Sequence, residues 1–196
     1  LMQAFAEMPQ LMPHFHLPVQ SGSNPVLERM RRKYKWEEYV AKIDTLRALV
    51  PDLALTSDII VGFPGETDED FEATMTLIER VRYENLYSFI YSPRPHTSAI
   101  RHEQTWGPVP HALSVARLER LQKRQREITL EVNQALVGTT VEVLVEGPDK
   151  AGRRFMGRTR INRVVHFPAD ESHIGRLVPV RIDRVTPAAL YGEILP

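Results

Sequence analysis

The stretch Asp58-Ile-Ile-Val-Gly-Phe-Pro-Gly-Glu-Thr67 constrains the fold of this chain more than any other segment. It passes from an apolar strand (Asp58 to Val61) through a turn flanked by Gly62 and Gly65 into an acid-rich helix start, the strand-turn-helix of an α/β unit. In such folds the carboxyl ends of parallel strands carry the ligand. The two glycines permit positive φ and Pro64 stiffens the turn, so backbone groups are expected to face whatever lies above it. Glu66, Asp68, Glu69 and Asp70 crowd the helix start, with Thr67 as N-cap and Asp70 at the capping-box position. This charge speaks against a phosphate cradle and leaves room for a neutral or cationic ligand. An ordinary well-capped βα turn would carry the same local signals.

The flanks repeat the pattern. Residues 1–8 read as helix, His14 to Gln20 as a short strand, and Pro25 opens a helix over 25–33 that carries Arg29, Arg31, Arg32 and Lys33. Trp36 to Val50 is a second helix, with Tyr39, Val40, Ile43 and Leu46 at helical spacing. After the central strand, helix 68–82 places Phe71, Met75, Ile78 and Val81 on one face, and Leu86 to Ser92 forms a further strand. The order β-α-β-α-β calls for parallel strands. His14 and His16 share one strand face, but two histidines do not make a metal site and no third ligand is placed.

Residues 98–110, ending in Trp106-Gly-Pro-Val-Pro110, read as an irregular linker. Helix 111–136 follows, with Leu118, Leu121, Ile128, Val132 and Leu136 near one stripe and Arg117, Arg120, Lys123, Arg124 and Arg126 outside it. From Gly138 the period becomes two. Strands over 140–146, 155–160, 164–167, 177–182 and 191–195, separated by Gly, Pro and Asp turns, predict a small OB-like β-barrel.

Net charge is zero but uneven: residues 1–110 hold 11 Lys+Arg against 15 Asp+Glu, and residues 111–196 hold 14 against 10. A net −4 half thus precedes a net +4 half, and the second is expected to meet a polyanion. Lys150, Arg153, Arg154, Arg158, Arg160 and Arg163 lie within 150–166 without one acid, beside Phe155, His166 and Phe167. A basic strand face with aromatic neighbours suits RNA, although it also suits a solubilising surface. The chain has no cysteine, so it supplies no disulfide, thiolate ligand or cysteine-ligated cluster. Without a long apolar run or leader pattern, no membrane partner and a cytoplasmic setting are expected. Leu1-Met2-Gln3 reads like the inside of a helix, as in a piece of something longer.

Four motifs carry a resemblance. His16-Leu-Pro-Val-Gln-Ser-Gly-Ser23, Ser57 to Thr67, Phe89-Ile-Tyr-Ser-Pro-Arg-Pro95 and Gly157-Arg-Thr-Arg-Ile-Asn-Arg-Val-Val165 together resemble the radical S-adenosylmethionine methylthiotransferases. The last motif looks like the tRNA-modifying branch rather than the branch acting on a ribosomal protein. The resemblance implies an α/β plus all-β chain: residues 1–97 as later strands of a partial (β/α) barrel of radical-SAM type, 98–137 as linker and long helix, and 138–196 as a TRAM β-barrel. It further implies an S-adenosylmethionine site lined by Gln20, Ser21, Ser23, Arg32, Asp58, Gly62, Phe63, Gly65, Tyr91 and Ser92. RNA contacts would come from Arg153, Arg154, Arg158, Arg160, Asn162 and Arg163, with tRNA as partner.

No catalytic residue is assigned. The family's [4Fe-4S] clusters are implied, but their Cys-x-x-x-Cys-x-x-Cys ligands are absent, so the missing amino-terminal part of the same enzyme is an expected partner and the chain alone is expected to be inactive. His96 and Ser98 also replace the Gly and Pro usual for the family after Arg94-Pro95. A stand-alone RNA-binding module without catalysis is the alternative from another class.

Overall fold

The computed structural model describes residues 2–8, 10–93 and 99–195. Two compact units emerge: one comprises residues 15–51 and 55–128, the other 1–14, 52–54 and 129–196. Helix α1 spans Met2–Glu7 and strand β1 His14–His16; α2 covers Asn24–Arg29, α3 Trp36–Leu49, β2 Ala54–Val61, α4 Asp68–Val81 and β3 Asn85–Ile90. The three strands make one sheet in the order β1-β2-β3. β2 and β3 run parallel in a continuous register from Thr56 opposite Asn85 to Val61 opposite Ile90.

Strand β2 is buried throughout Ala54 to Ser57 and alternates by face from Asp58 on. Leu55, Ser57, Ile59 and Val61 are almost fully buried, as are Val26 and Leu27 of α2, Ile43 of α3, and Leu77, Ile78 and Val81 of α4. A polar chain runs through this interior: Tyr83 donates to the Tyr39 hydroxyl at 3.0 Å, and both the Tyr39 hydroxyl (2.8 Å) and Ser57 Oγ (2.7 Å) donate to the Leu17 carbonyl. The Leu17 carbonyl is therefore satisfied where the chain has left the regular ladder. Burial raises the pKa of both tyrosines, most of all that of Tyr83.

Three expectations need correction. The strand expected over His14 to Gln20 is regular only to His16; Pro18 has no N–H to give, and pairing returns as a single parallel bridge of Gln20 with Ile59. The helix expected over 25–33 stops at Arg29, because Arg31 takes φ 57° and Arg32 N–H turns back to the Leu27 carbonyl. Arg31, Arg32 and Lys33 therefore lie outside it. The expected linker contains an eight-residue helix, α5 (Ala99–Trp106), ended by Gly107 at φ 78° whose N–H reaches the Glu103 carbonyl. The Gly-Pro-Val-Pro run marks the end of that helix rather than a continuous loop.

Helix α6 (His111–Gln134) begins after those prolines, and the division between the two units falls within it. In the second unit, β4 (Thr140–Pro148), β5 (Phe155–Thr159), β6 (Val164–Phe167), β7 (Leu177–Val185) and β8 (Leu190–Ile194) close into a barrel in the order β4-β5-β6-β8-β7. Val143, Val145, Val165, Phe167, Val178, Val180, Ile182 and Leu190 fill it, with Leu136 packed against them. Register shifts between Val145 and Gly147 and between Ile182 and Arg184 bend the two nine-residue strands, which a five-stranded barrel requires.

Candidate functional site

Gln20, four residues beyond β1 and bridged to Ile59, takes φ 76° and is buried. A non-glycine residue held in this region costs on the order of 1–3 kcal/mol, which neighbours must offset. Here the Gln20 N–H donates to the Asp58 carbonyl and the Gln20 carbonyl accepts from Ile60 N–H, both at 2.9 Å. The next residues turn away from the strand ends. Ser21 Oγ lies 3.3 Å from Thr74 Oγ1, Gly22 N–H donates to Thr74 Oγ1 at 3.0 Å, and Ser23 Oγ donates to Asp70 while capping Val26 N–H. A Cβ on Gly22 would stand 2.6 Å from Thr74 Cα. The side chains of Ser21 and Ser23 thus dock the loop on α4, and Arg32 is exposed. The arginine that turns inward is Arg29, whose Nη1 donates to the Gly65 carbonyl at 2.8 Å.

Gly62 and Gly65 adopt φ 70° and 73°, as the turn requires. Thr67 caps α4 by accepting from Asp70 N–H at 3.2 Å, and Asp70 Oδ2 accepts from Thr67 N–H at 3.1 Å, completing the capping box. The backbone of the turn is largely engaged within the chain. Gly62 N–H donates to Glu66 Oε1 at 2.9 Å, Gly65 N–H to the Gly107 carbonyl at 3.0 Å, and Glu66 N–H to the Phe63 carbonyl at 2.8 Å. A Cβ on Gly62 would strike Ser114, and one on Gly65 would lie 2.9 Å from Trp106 Cβ. Phe63 is buried among Tyr91, His102 and Trp106, with ring centroids at 5.0, 5.5 and 6.5 Å. The expected open turn is therefore covered by α5 and the start of α6.

The charges there have an internal partner. Arg117, placed outside the apolar stripe by sequence periodicity, is only 4% exposed. Its Nη1 donates to Glu66 Oε1 at 2.7 Å and to the Glu66 carbonyl at 3.2 Å, and its Nη2 to Asp68 Oδ1 at 2.6 Å. Arg120 pairs with Glu72 and Arg124 with Glu79, so three arginines of α6 meet the acidic face of α4. The cation that the acid-rich helix start accommodates is this chain's own helix. Burial raises the pKa of Glu66 despite the Gly62 N–H and Arg117 beside it. The buried stripe of α6 is Ser114, Arg117, Leu121, Gln125 and Ile128, with Gln125 Nε2 donating to the Tyr83 carbonyl at 2.8 Å. A polar buried stripe escapes an apolar periodicity count.

On the opposite face of the sheet, Asp58 lies across from Tyr87 and Ile60 from Phe89, and the two aromatics are 52% and 54% exposed. His16 Nδ1 is 3.0 Å from Thr56 Oγ1 and Nε2 is 3.5 Å from Asp58 Oδ1, with the Tyr87 ring edge-on at 6.0 Å. This face is the open polar and aromatic surface; sequence reasoning singled out only Asp58 of it for the ligand site, alternation along β2 and β3 being the available signal for the rest, and the buried Gln20 bridges Ile59 of the other face. Tyr91 and Ser92 follow β3, and Tyr91 N–H donates to the Val61 carbonyl at 2.9 Å. The Arg94-Pro95-His96 and Ser98 segment lies outside the described residues. No group of three potential metal-ligating side chains occurs among the described residues, and no described helix is long and apolar enough to cross a membrane.

On the barrel, Arg153, Arg154 and Arg160 are exposed. Arg158 is engaged with Glu146 Oε1 at 3.1 Å and with Asn162 Oδ1 at 2.9 Å. Asn162 holds the β5–β6 turn at φ 66°, and Arg163 N–H donates to Thr159 Oγ1 at 3.2 Å. Phe167 is part of the core and Phe155 packs against it, so neither is a surface aromatic.

Compared with known proteins, residues 1–78 match the Radical SAM superfamily and residues 134–195 match the TRAM domain. The fold resembles a coproporphyrinogen III oxidase from Escherichia coli described as a radical SAM enzyme, with TM-score 0.50 and 13% identity over 94% of this chain and 46% of that one. The class is therefore a radical-SAM segment joined to a TRAM barrel. The chain is 53% identical over 195 residues to tRNA-2-methylthio-N(6)-dimethylallyladenosine synthase of Myxococcus xanthus, covering 98% of this chain and 42% of that protein. It is 48% identical over 195 residues to the synthase of the same name from Coxiella burnetii, covering 99% and 44%. The likeness to these synthases runs over nearly the whole chain and so takes in both the Radical SAM and the TRAM regions. It spans less than half the length of these curated relatives.

Proposed function

We propose that this chain is the carboxyl-terminal portion of a cytoplasmic enzyme that adds a methylthio group to C2 of N6-isopentenyladenosine beside the tRNA anticodon. The observation that carries the reading is continuity: identity of 53% to the Myxococcus protein runs over 195 residues and so spans both family regions. Residues 1–97 contribute part of the ligand-binding barrel and residues 138–196 grip RNA.

The donor set of this chain does not fit an iron–sulfur cluster, since it contains no cysteine, and no step is assigned to a cluster here. The strand ends do fit S-adenosylmethionine. Gln20, strained and buried beyond β1, and Asp58, part-exposed on the open face, are the groups that would hold it. Tyr91 and Ser92 would close the far side, while Gly62, Phe63 and Gly65 shape the floor from beneath and Ser21 and Ser23 fix the loop. S-adenosylmethionine, when bound, supplies the radical chemistry of the family. This chain's residues bind and orient it and limit access of water.

The test is mass spectrometry of isopentenylated tRNA after anaerobic incubation with S-adenosylmethionine and reductant. A longer protein carrying a cysteine triad upstream of Leu1 should form the methylthio product, and the 196-residue chain should not. Failure of that longer protein, with retention of RNA by the short chain, would favour the RNA-binding module.

A further inference from the structure

A row of planar and polarisable side chains crosses the outer surface of the barrel. Met156 on β5 stands opposite His166 on β6, His166 opposite Tyr191 on β8, and Tyr191 opposite Arg184 on β7. Their chain neighbours Gly157, Val165, Leu190 and Gly192 are buried, so alternation turns Met156, His166 and Tyr191 outward, while Arg184, at the register shift after Ile182, is itself exposed. None of the four belongs to the barrel core. The His166 and Tyr191 rings stack with centroids 5.3 Å apart and planes 19° from parallel. The Arg184 guanidinium carbon lies 3.7 Å from the Tyr191 centroid. Asp149, at the end of the hairpin loop, approaches His166 Nδ1 at 3.8 Å and holds that end of the row.

From this geometry we propose that the Met156–His166–Tyr191–Arg184 row is a stacking platform for an unpaired nucleobase of RNA, separate from the basic residues of 150–163. The inference rests on the reading of this barrel as an RNA domain. Arg184 is exposed, and a guanidinium stacked on a tyrosine offers its free face to a second aromatic plane. The row crosses three inter-strand gaps, about 14 Å, enough for a base and its flanking backbone. A π-surface capped by a cation recognises bases that are out of a duplex, since paired bases keep their faces covered. Purines, with the larger π-area, are the preferred occupants. The net +4 charge of residues 111–196 brings the polyanion near, and the row then discriminates by stacking rather than by charge.

The test uses the 196-residue chain with fluorescein-labelled oligoadenylate, oligouridylate and duplex RNA in anisotropy titrations over a salt series. Tyr191→Leu and Arg184→Gln should each weaken oligoadenylate binding about tenfold and duplex binding less than twofold, while Tyr191→Phe binds as wild type does. The salt slope of Tyr191→Leu should stay at the wild-type value, because no phosphate contact is removed. Thermal melts identify a variant that fails to fold, and Arg184→Gln, at an exposed position, serves as the independent variant. Folded variants that bind oligoadenylate as wild type does, or lose duplex and single-strand binding equally, overturn the platform. A wild-type chain that binds none of the three RNAs overturns the RNA reading and the platform with it.

Discussion

Replacing Arg117 by Met should destabilise the α/β unit by about 3–5 kcal/mol near pH 8, the range for removing one partner from a buried ion pair. The size follows from where the two charges sit. Arg117 exposes 4% of its side chain and Glu66 2%, with 2.7 Å between Nη1 and Oε1. The other arm reaches Asp68, whose side chain is 82% exposed, so that contact contributes about 0–1 kcal/mol. Methionine keeps much of the aliphatic volume against Phe71 but leaves the Glu66 carboxylate with only the Gly62 N–H. Burial already raises the Glu66 pKa above its ordinary 4.5. A carboxyl raised in the folded state binds its proton more tightly folded than unfolded. Its contribution to stability is therefore fully present below 4.5 and is lost as pH rises through the raised value. Without Arg117 the rise is larger, so the cost of the substitution should grow between about pH 5 and about pH 8. Glu66→Gln in the same background removes the stranded charge and should recover at least half of the cost near pH 8. Urea denaturation of wild type, both single variants and the double at the two pH values measures all of this. A cost under about 1 kcal/mol near pH 8, or one that does not grow with pH, would refute the buried-pair argument.

Gly65→Ala should cost more than about 1 kcal/mol in the chain without any ligand, because the residue holds φ 73° and the new Cβ meets Trp106; wild-type stability in urea would mean that α5 does not cover the turn. For RNA, Arg153→Ala with Arg154→Ala should flatten the log–log salt dependence of binding by about 1.5, while Arg158→Ala, already engaged with Glu146 and Asn162, should change it by less than about 0.7; the reverse order would place the contact face on Arg158. Anaerobic reconstitution of the 196-residue chain with iron and sulfide should give no thiolate-to-iron absorbance, and a stoichiometric cluster would contradict the donor argument.

Much of the architecture was legible in the sequence because it is written in local terms. The capping box of α4 needs only Thr67 and Asp70 three residues apart, and the positive φ values at Gly62 and Gly65 follow from residue type. Five period-two segments foretold the five strands of the barrel, since alternation is how a strand with one buried face must read. The absence of cysteine and the −4 and +4 halves also belong to the sequence alone.

What tertiary structure decided is which polar groups are buried and which surfaces are covered. Nothing local marks Arg117 as interior; a 51-residue separation from Glu66 hides the pair until α6 lies on α4. The contacts of the Ser21 and Ser23 hydroxyls with Thr74 and Asp70, about fifty residues away, are likewise invisible in the local sequence. The Gly62–Gly65 turn, open in the sequence, lies under Trp106 and Ser114 because α5 forms where Gly, Pro and Trp suggested a loop. The Tyr191, His166 and Arg184 row likewise exists only through strand pairing, which brings three distant residues onto one face. Local sequence specifies backbone conformation and periodicity, whereas burial and charge pairing depend on long-range contacts that no window of neighbouring residues contains.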